Sequence, residues 1–360
     1  MMKKYLNYLR YRIDRKLIFR IHCWLILIVV LVSISGCRKE TNLQQSFYYW
    51  KTVFRLNQEE LQVLKIQQIK RLYIRYFDVV IDKGVPQPES TIIFKDSIPI
   101  NIKIIPVIFI TNQVLETSTD DQIPVLAEKI YKRISSINQV HHIPIDDIPE
   151  IQMDCDWNKP TREKYFRLLD IMRQYCIADN IHLSATLRLH QLKYQKRTGI
   201  PPVDRAVLMC YNVGDLTEYG SQNSILDIRE VKNYIQNSGL YPVPIDIAFP
   251  LFSWGVCFRN KQYRGLIRGL SKKDMSLSCF KEIAPNLYYS DSTFYMYGAS
   301  IIKGDHIRVE EPTSEEIYQS AKIIASRLKI SGHIIWYHLD SLFLQKFTSH
   351  ELQKVTDLFH

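Results

Sequence analysis

Short apolar runs alternate along this chain with longer stretches in which apolar residues recur every three or four positions. Runs of the first kind lie at Phe47 to Phe54, Arg71 to Phe77, Ile104 to Ile110, Ile151 to Asp156, His182 to Leu189, Ala206 to Tyr211, Ile245 to Leu251 and His333 to Leu339. They are short and continuously apolar, as strands covered on both faces must be. Between them, Asp120 to Ile137, Thr161 to Cys176, Ile225 to Ile235 and Ser314 to Leu328 carry helical spacing behind Asn, Asp, Ser, Thr or Pro cap signals. Leu168, Leu169, Ile171, Met172 and Tyr175 display that spacing most plainly.

Eight such strand–helix units predict a (β/α)8 TIM barrel, with a last helix at Ser349 to Leu358 closing the ring. The spacing breaks once, at Phe258 to Pro312, which holds Tyr288-Tyr289 and strand-like runs at Thr293 to Tyr297 and Ser300 to Val309. A connection that long needs structure of its own, so a small β-rich insertion after the seventh strand is expected there.

The N-terminus follows a different logic. Lys3, Lys4, Arg10, Arg12, Arg15, Lys16 and Arg20 precede the apolar run Trp24 to Val32, which ends in Ser33-Ile34-Ser35-Gly36-Cys37. A bilayer span needs about 20 apolar residues, so the run reads as a signal peptide rather than a membrane helix. Residues 1–36 are therefore expected to be a lipoprotein signal and Cys37 the lipidated N-terminus, with 37–46 a tether and 47–360 the barrel domain. That places the protein in the cell envelope, outside the cytosol and anchored by lipid to a bacterial membrane.

Removing the signal alters the charge balance, because residues 1–36 carry +6 of the chain's +10 and leave about +4. Neither that balance nor any basic run with interleaved aromatics suits nucleic acid, which is not expected as a partner. Past Cys37 the cysteines are Cys155, Cys176, Cys210, Cys257 and Cys279, an odd set without CxxC or Cys/His spacing, so neither a disulfide framework nor a metal or other cofactor is expected. Cys155 and Cys210 sit in apolar runs, as small buried thiols do.

Barrel chemistry gathers where strands turn polar at their C-terminal ends. In Gln152-Met153-Asp154-Cys155-Asp156-Trp157-Asn158, alternation puts Gln152, Asp154, Asp156 and Asn158 on one face. Two carboxylates so placed raise each other's pKa and suit acid–base work; a buried Asp that merely ties strands together is the structural alternative. Other strand ends offer Arg75 and Asp78, Asn112, Arg188 and His190, Tyr211 and Asn212, and Trp336, His338 and Asp340. Arg188 could neutralise Asp154 or Asp156, and Trp157, Trp254, Trp336 and Tyr211 provide flat faces for sugar rings, though aromatics at strand ends also serve as plain core.

Taken in order, these segments resemble the family 18 glycoside hydrolases: chitinases, endo-acting acetylglucosaminidases and their inactive lectin-like relatives. Tyr48-Tyr49-Trp50 is similar to that family's first strand, Met153-Asp154-Cys155-Asp156-Trp157 to its acidic fourth strand and Leu208-Met209-Cys210-Tyr211-Asn212 to its sixth. Ile247 to Phe252 is similar to its seventh strand and Gly332-His333-Ile334-Ile335-Trp336 to its eighth. An insertion after the seventh strand also fits its chitinases.

The resemblance implies a glycan ligand, and its departures bear on chemistry. The family's proton-donating glutamate is replaced by Asn158 and its sixth-strand aspartate by Asn212. An amide cannot donate a proton to a leaving oxygen as a carboxylic acid does. On the hydrolase reading Asp156 is the expected donor, Asp154 tunes it, and Tyr211 and Asn212 orient the sugar, with Asn158, Arg188, His190, Trp254, Trp336 and Asp340 as further binding residues. A variant pairs Asp156 with Asp340 or Asp78 across the mouth, their separation then setting stereochemistry. The alternative is a noncatalytic glycan-binding lipoprotein.

Overall fold

The computed structural model describes residues 43–236 and 238–359, together with Met2. The signal segment 1–36 and the lipidation residue Cys37 lie outside the residues described from Leu43 onward. Eight parallel strands form a closed ring: β1 (Gln44–Tyr49), β2 (Arg71–Asp82), β3 (Lys103–Ile110), β4 (Glu150–Asp154), β5 (His182–Arg188), β6 (Arg205–Met209), β7 (Ile245–Pro250) and β8 (Ile330–Tyr337). Closure is made by β1, whose Phe47 pairs with Leu72 of β2 on one side and with Trp336 of β8 on the other. An additional strand, Val85–Glu89, lies antiparallel to the end of β2 and outside the ring.

The outer layer contains α1 (Gln58–Ile66), α2 (Gln122–Val140), α3 (Arg162–Ala178), α4 (Ile228–Ile235), α5 (Ser314–Ala325) and α6 (Ser349–Thr356). Reciprocal capping boxes start three of them, through Asn57 and Glu60, Thr313 and Glu316, and Thr348 and Glu351. Each box satisfies amides that a helix start would otherwise leave unbonded. The stripe Ile123, Leu126, Ala127, Ile130, Ile134 and Ile137 of α2 is buried against the barrel, as its spacing requires.

The strand positions agree with the apolar runs, with local differences. β1 begins at Gln44, so it takes in the last three residues of the expected tether, and ends at Tyr49; Val53–Phe54 forms a separate short strand beside Ile93–Phe94. β4 and β5 stop earlier than expected, at Asp154 and Arg188, and this decides where several polar side chains point.

The insertion starts at Trp254 rather than Phe258, because Trp254 pairs with both Arg268 and Glu310. It forms a five-stranded antiparallel sheet in the order Gln262–Arg268, Trp254–Arg259, His306–Glu310, Leu287–Ser290 and Phe280–Ala284, with a hairpin of Phe294–Met296 and Ala299–Ile301. Its small core comprises Cys257, Ile267, Leu270, Met275, Phe280, Ile301, Ile307 and Val309. A clamp built on the buried Arg308 and Glu310 joins it to the loop after β6: Arg308 Nε donates to Glu310 Oε1 at 2.6 Å and Nη2 to the Leu216 carbonyl at 3.2 Å, while Glu310 Oε2 accepts the Ser224 amide at 3.0 Å.

The barrel interior is unusually polar. On the inward face of β4, Gln152 accepts from the Tyr48 hydroxyl at 2.6 Å and donates to Ser184 at 3.3 Å. Near the N-terminal ends, Asp246 takes Arg205 Nη1 at 2.6 Å and the His333 amide at 2.9 Å, and Arg71 stands 3.7 Å from Glu150. Burial pushes Glu150 up to about 7 and His333 down to about 3.

Candidate functional site

At the C-terminal ends of the strands a cleft of about 270 Å³ is lined by Trp50, Arg75, Asp78, Phe109, Asp154, Asp156, Arg188, Met209, Tyr211, Asn212, Arg268 and Tyr337. Nearly all stand at or just beyond a strand end, where the ring delivers side chains from strands remote in sequence. Only Arg268 comes from the insertion.

Charge in the cleft is organised as two arginine forks. Arg188 donates Nε to Asp156 Oδ1 at 2.5 Å and Nη2 to Oδ2 at 2.6 Å, so both carboxylate oxygens are engaged. Arg75 grips Asp78 in the same way, with Nε at 2.7 Å from Oδ1 and Nη2 on Oδ2, and its guanidinium lies 5.7 Å from the centre of the Trp50 ring. Burial works against the charge of Arg188, but the bond to Asp156 holds its guanidinium above the ordinary range. Such planar pairings need two parallel N–H groups and suit arginine rather than lysine.

Asp154 is different. It is buried and accepts a hydrogen bond from Thr186 Oγ1 at 2.6 Å. Loss of water, reinforced by the negative charge of Asp156, pushes its carboxyl up to about 7 against the opposing effects of Thr186 and Arg188. It therefore exchanges a proton near neutrality in the cleft wall.

Aromatic rings form the remaining wall. Tyr211 stacks on Tyr337 with ring centres 5.0 Å apart and planes at 29°, and Trp50 meets Tyr337 at 5.5 Å. Burial raises Tyr211 and Tyr337 above the ordinary phenol range, so both hydroxyls remain protonated. Asn212 has a backbone φ of +54° and donates its amide to the Ile225 carbonyl at 2.8 Å, a left-handed turn in which Asn is favoured.

Of the residues expected from sequence, Asp154, Asp156, Arg188, Tyr211 and Asn212 meet in this cleft, as do Arg75 and Asp78. Others do not line it. Asn158 lies beyond the end of β4, where alternation no longer applies, and its Oδ1 accepts the Thr161 amide at 3.1 Å in front of α3. His190 is exposed, since the chain turns helical at Leu189. Trp336 points the other way from Tyr337, is fully buried and donates to Gln45 at 2.8 Å. Trp157 is also buried, its indole donating to the Thr198 carbonyl at 3.0 Å. Trp254 donates to Glu310 Oε2 at 2.8 Å, within the insertion clamp. Asp340 caps Ser341–Leu344 through the Leu342 amide at 3.1 Å and stands 3.5 Å from Lys51, outside the lining of the cleft that holds Asp156.

Sequence reasoning missed Trp50, Phe109, Met209, Arg268 and Tyr337 as lining residues. For Tyr337 a signal existed: it directly follows the aromatic chosen at the end of the eighth strand, and one step along a strand exchanges the faces. Asn112, also noted from sequence, lies behind the wall and donates to the Asp156 carbonyl at 2.6 Å. Among the described residues no group of His, Cys, Asp and Glu is arranged to hold a metal ion, and no helix is long and apolar enough to cross a membrane.

No family model matches the chain, and no curated protein matches it in sequence. Solved structures do match in fold. The spore cortex-lytic enzyme SleL of Bacillus cereus superposes with a TM-score of 0.53 at 16% identity, covering 88% of this chain and 74% of that one. A chitinase of Chromobacterium violaceum gives a TM-score of 0.52 at 8% identity over 87% of this chain and 99% of its own. The Group IV chitinase of Ostrinia furnacalis in complex with allosamidin gives 0.51 at 9% identity, over 88% and 98%. The chain thus has the TIM-barrel fold of chitinases and spore cortex-lytic enzymes, and its resemblance to family 18 glycoside hydrolases is distant.

Proposed function

We propose that this protein binds a glycan in the cleft at the C-terminal ends of its strands and does not hydrolyse it. The observation that carries this reading is the state of the cleft acids. Both oxygens of Asp156 are held by Arg188 and both oxygens of Asp78 by Arg75, and the expected position of the donor is Asn158, turned away onto Thr161. Glycoside hydrolysis needs a carboxylic acid that can reach and protonate the leaving oxygen. Neither of these paired carboxylates is free for that, whereas the half-buried Trp50 and Tyr337 still line the cleft with apolar rings of the kind sugars pack on. Structural neighbours that are chitinases, one with allosamidin, support a glycan-related role.

One observation favours a hydrolytic reading. Asp154 lines the cleft and its carboxyl is pushed up to about 7, so part of the population carries a proton at neutral pH. The deciding experiment incubates the purified protein with a panel of oligosaccharides and records binding and sugar release in the same samples. Binding without release is expected. Release that disappears in Asp154→Asn would replace this reading with a hydrolase using Asp154 as acid.

A lipid anchor completes the proposal. It rests on the basic and apolar order of residues 1–36 and the small residues before Cys37. Growth with labelled palmitate should mark the protein, and Cys37→Ala should abolish the label and release the protein from the envelope fraction.

A further inference from the structure

Resting on the glycan-binding reading, we propose that the glycan carries a carboxylate, on a uronic acid or on a carboxyalkyl ether of the sugar, and that Arg268 is the residue that recognises it. Three arginines and three aspartates line the cleft: Arg75, Arg188 and Arg268, with Asp78, Asp154 and Asp156. Two of the arginines are spent on bidentate pairs with Asp78 and Asp156. Arg268 alone of the three has no ion pair or side-chain hydrogen bond among the described residues, and it is exposed. Its guanidinium donors are unused by the described residues, and their fork geometry fits a carboxylate.

The position of Arg268 is built rather than incidental. It ends an insertion strand opposite Trp254, and the next residue fastens the backbone: the Gly269 amide donates to the Ser253 carbonyl at 3.0 Å. Gly269 has φ +83°, a backbone conformation that favours glycine, so the turn that follows Arg268 is set by the sequence. A fixed backbone reduces the ordering that binding would otherwise require.

The cleft also lacks the repulsion that would exclude an anion. Asp78 and Asp156 are each compensated by a guanidinium, and Asp154 holds its proton up to about pH 7. Where Asp154 carries its proton, the net excess in the lining is the charge of Arg268, and where it does not, Arg268 remains the one guanidinium of the lining not already paired among the described residues. A sugar packed on Trp50 and Tyr337, whose centres lie 5.5 Å apart, shares the cleft with that cation.

The test measures, by calorimetry on the purified full-length protein, affinities for three oligosaccharides of equal length: neutral N-acetylglucosamine oligomers, oligomers containing a uronic acid, and oligomers bearing a carboxyalkyl ether. At least one acidic ligand should bind roughly tenfold or more tighter than the neutral one, as expected for a hydrogen-bonded charge pair, and the preference should shrink with added salt. The tighter of the two identifies the source of the carboxylate. Arg268→Gln should collapse the acidic-to-neutral ratio towards one, and Arg268→Lys should keep part of it, because charge remains but the fork is lost. Equal affinity for neutral and acidic sugars in the wild type, or a preference unchanged in Arg268→Gln, overturns the inference and leaves the glycan-binding reading intact. Failure to bind any of the three ligands overturns both.

Discussion

Asp154 and Glu150 stand four residues apart on the same inward face of β4, and burial pushes both carboxyls up to about 7. Their settings differ. Asp154 lies at the C-terminal end, in the wall of the cleft, with Asp156 and Arg188 beside it and solvent within reach. Glu150 lies at the opposite end, beneath Gln152 and among Arg71, Arg205, Asp246 and Tyr73, and it is not part of the lining of the cleft. A displaced pKa therefore reports loss of water at either end of the barrel, and only location separates the acid that can meet a ligand from the one that cannot.

The largest effect that can break this comparison is expected at the lower end. Asp246→Ala removes a fully buried carboxylate that holds both the half-buried Arg205 and the His333 amide, and should cost about 3–5 kcal/mol of folding stability, read by chemical denaturation. Ligand affinity in the folded fraction should be unaltered; a stability loss below about 1 kcal/mol would mean that the ion pair is not structural.

Next in size is the pH dependence. Both acids hold their protons more tightly in the folded state than in the unfolded chain, so their contribution is fully present below about pH 4 and is lost as pH rises through about 7. Each accounts for a change on the order of 3 kcal/mol. The stability difference between Glu150→Gln and wild type should therefore grow in favour of the variant from pH 4 to pH 8. A flat difference would show that Glu150 stays ionised in the fold.

Smaller effects sharpen the contrast at the cleft. Trp50→Ala removes an aromatic face and the ring beneath Arg75, and glycan binding should weaken by about 1–2 kcal/mol in titration calorimetry. Smallest is Asn158→Ala, which removes the acceptor for the Thr161 amide and should cost about 1 kcal/mol of stability without altering glycan affinity. Loss of affinity there would return Asn158 to the site.

Much of this molecule was legible from sequence because two physical signals are local. Continuous apolar runs marked the eight strands, since a strand covered on both faces has no polar parity to keep, and capped periodic stretches marked the major helices. The long break after the seventh strand announced the insertion. Asp154, Asp156, Arg188, Tyr211 and Asn212 were found because barrel strands deliver their C-terminal ends to one place.

The expected residues that do not line the cleft fall outside it for three physical reasons. Asn158 and His190 were carried past the true ends of β4 and β5, where the two-residue period ceases. Trp336 was chosen one residue from Tyr337, and that step sends a side chain to the outer face. Trp254 and Asp340 lie near the strand ends but satisfy neighbours that the sequence does not reveal.

The amino-acid order alone determined that a barrel forms, where its insertion falls and which strand bears paired acids, because those depend on periodicity along one segment. Tertiary structure decided that Arg188 takes both oxygens of Asp156, that Arg75 does the same for Asp78, and that Arg268 reaches the cleft unpaired. Arg188 and Asp156 lie 32 residues apart and meet only when β4 and β5 lie side by side, while Arg75 and Asp78, three apart on β2, would face opposite ways in a regular strand and share a face across the irregularity between Arg75 and Phe77.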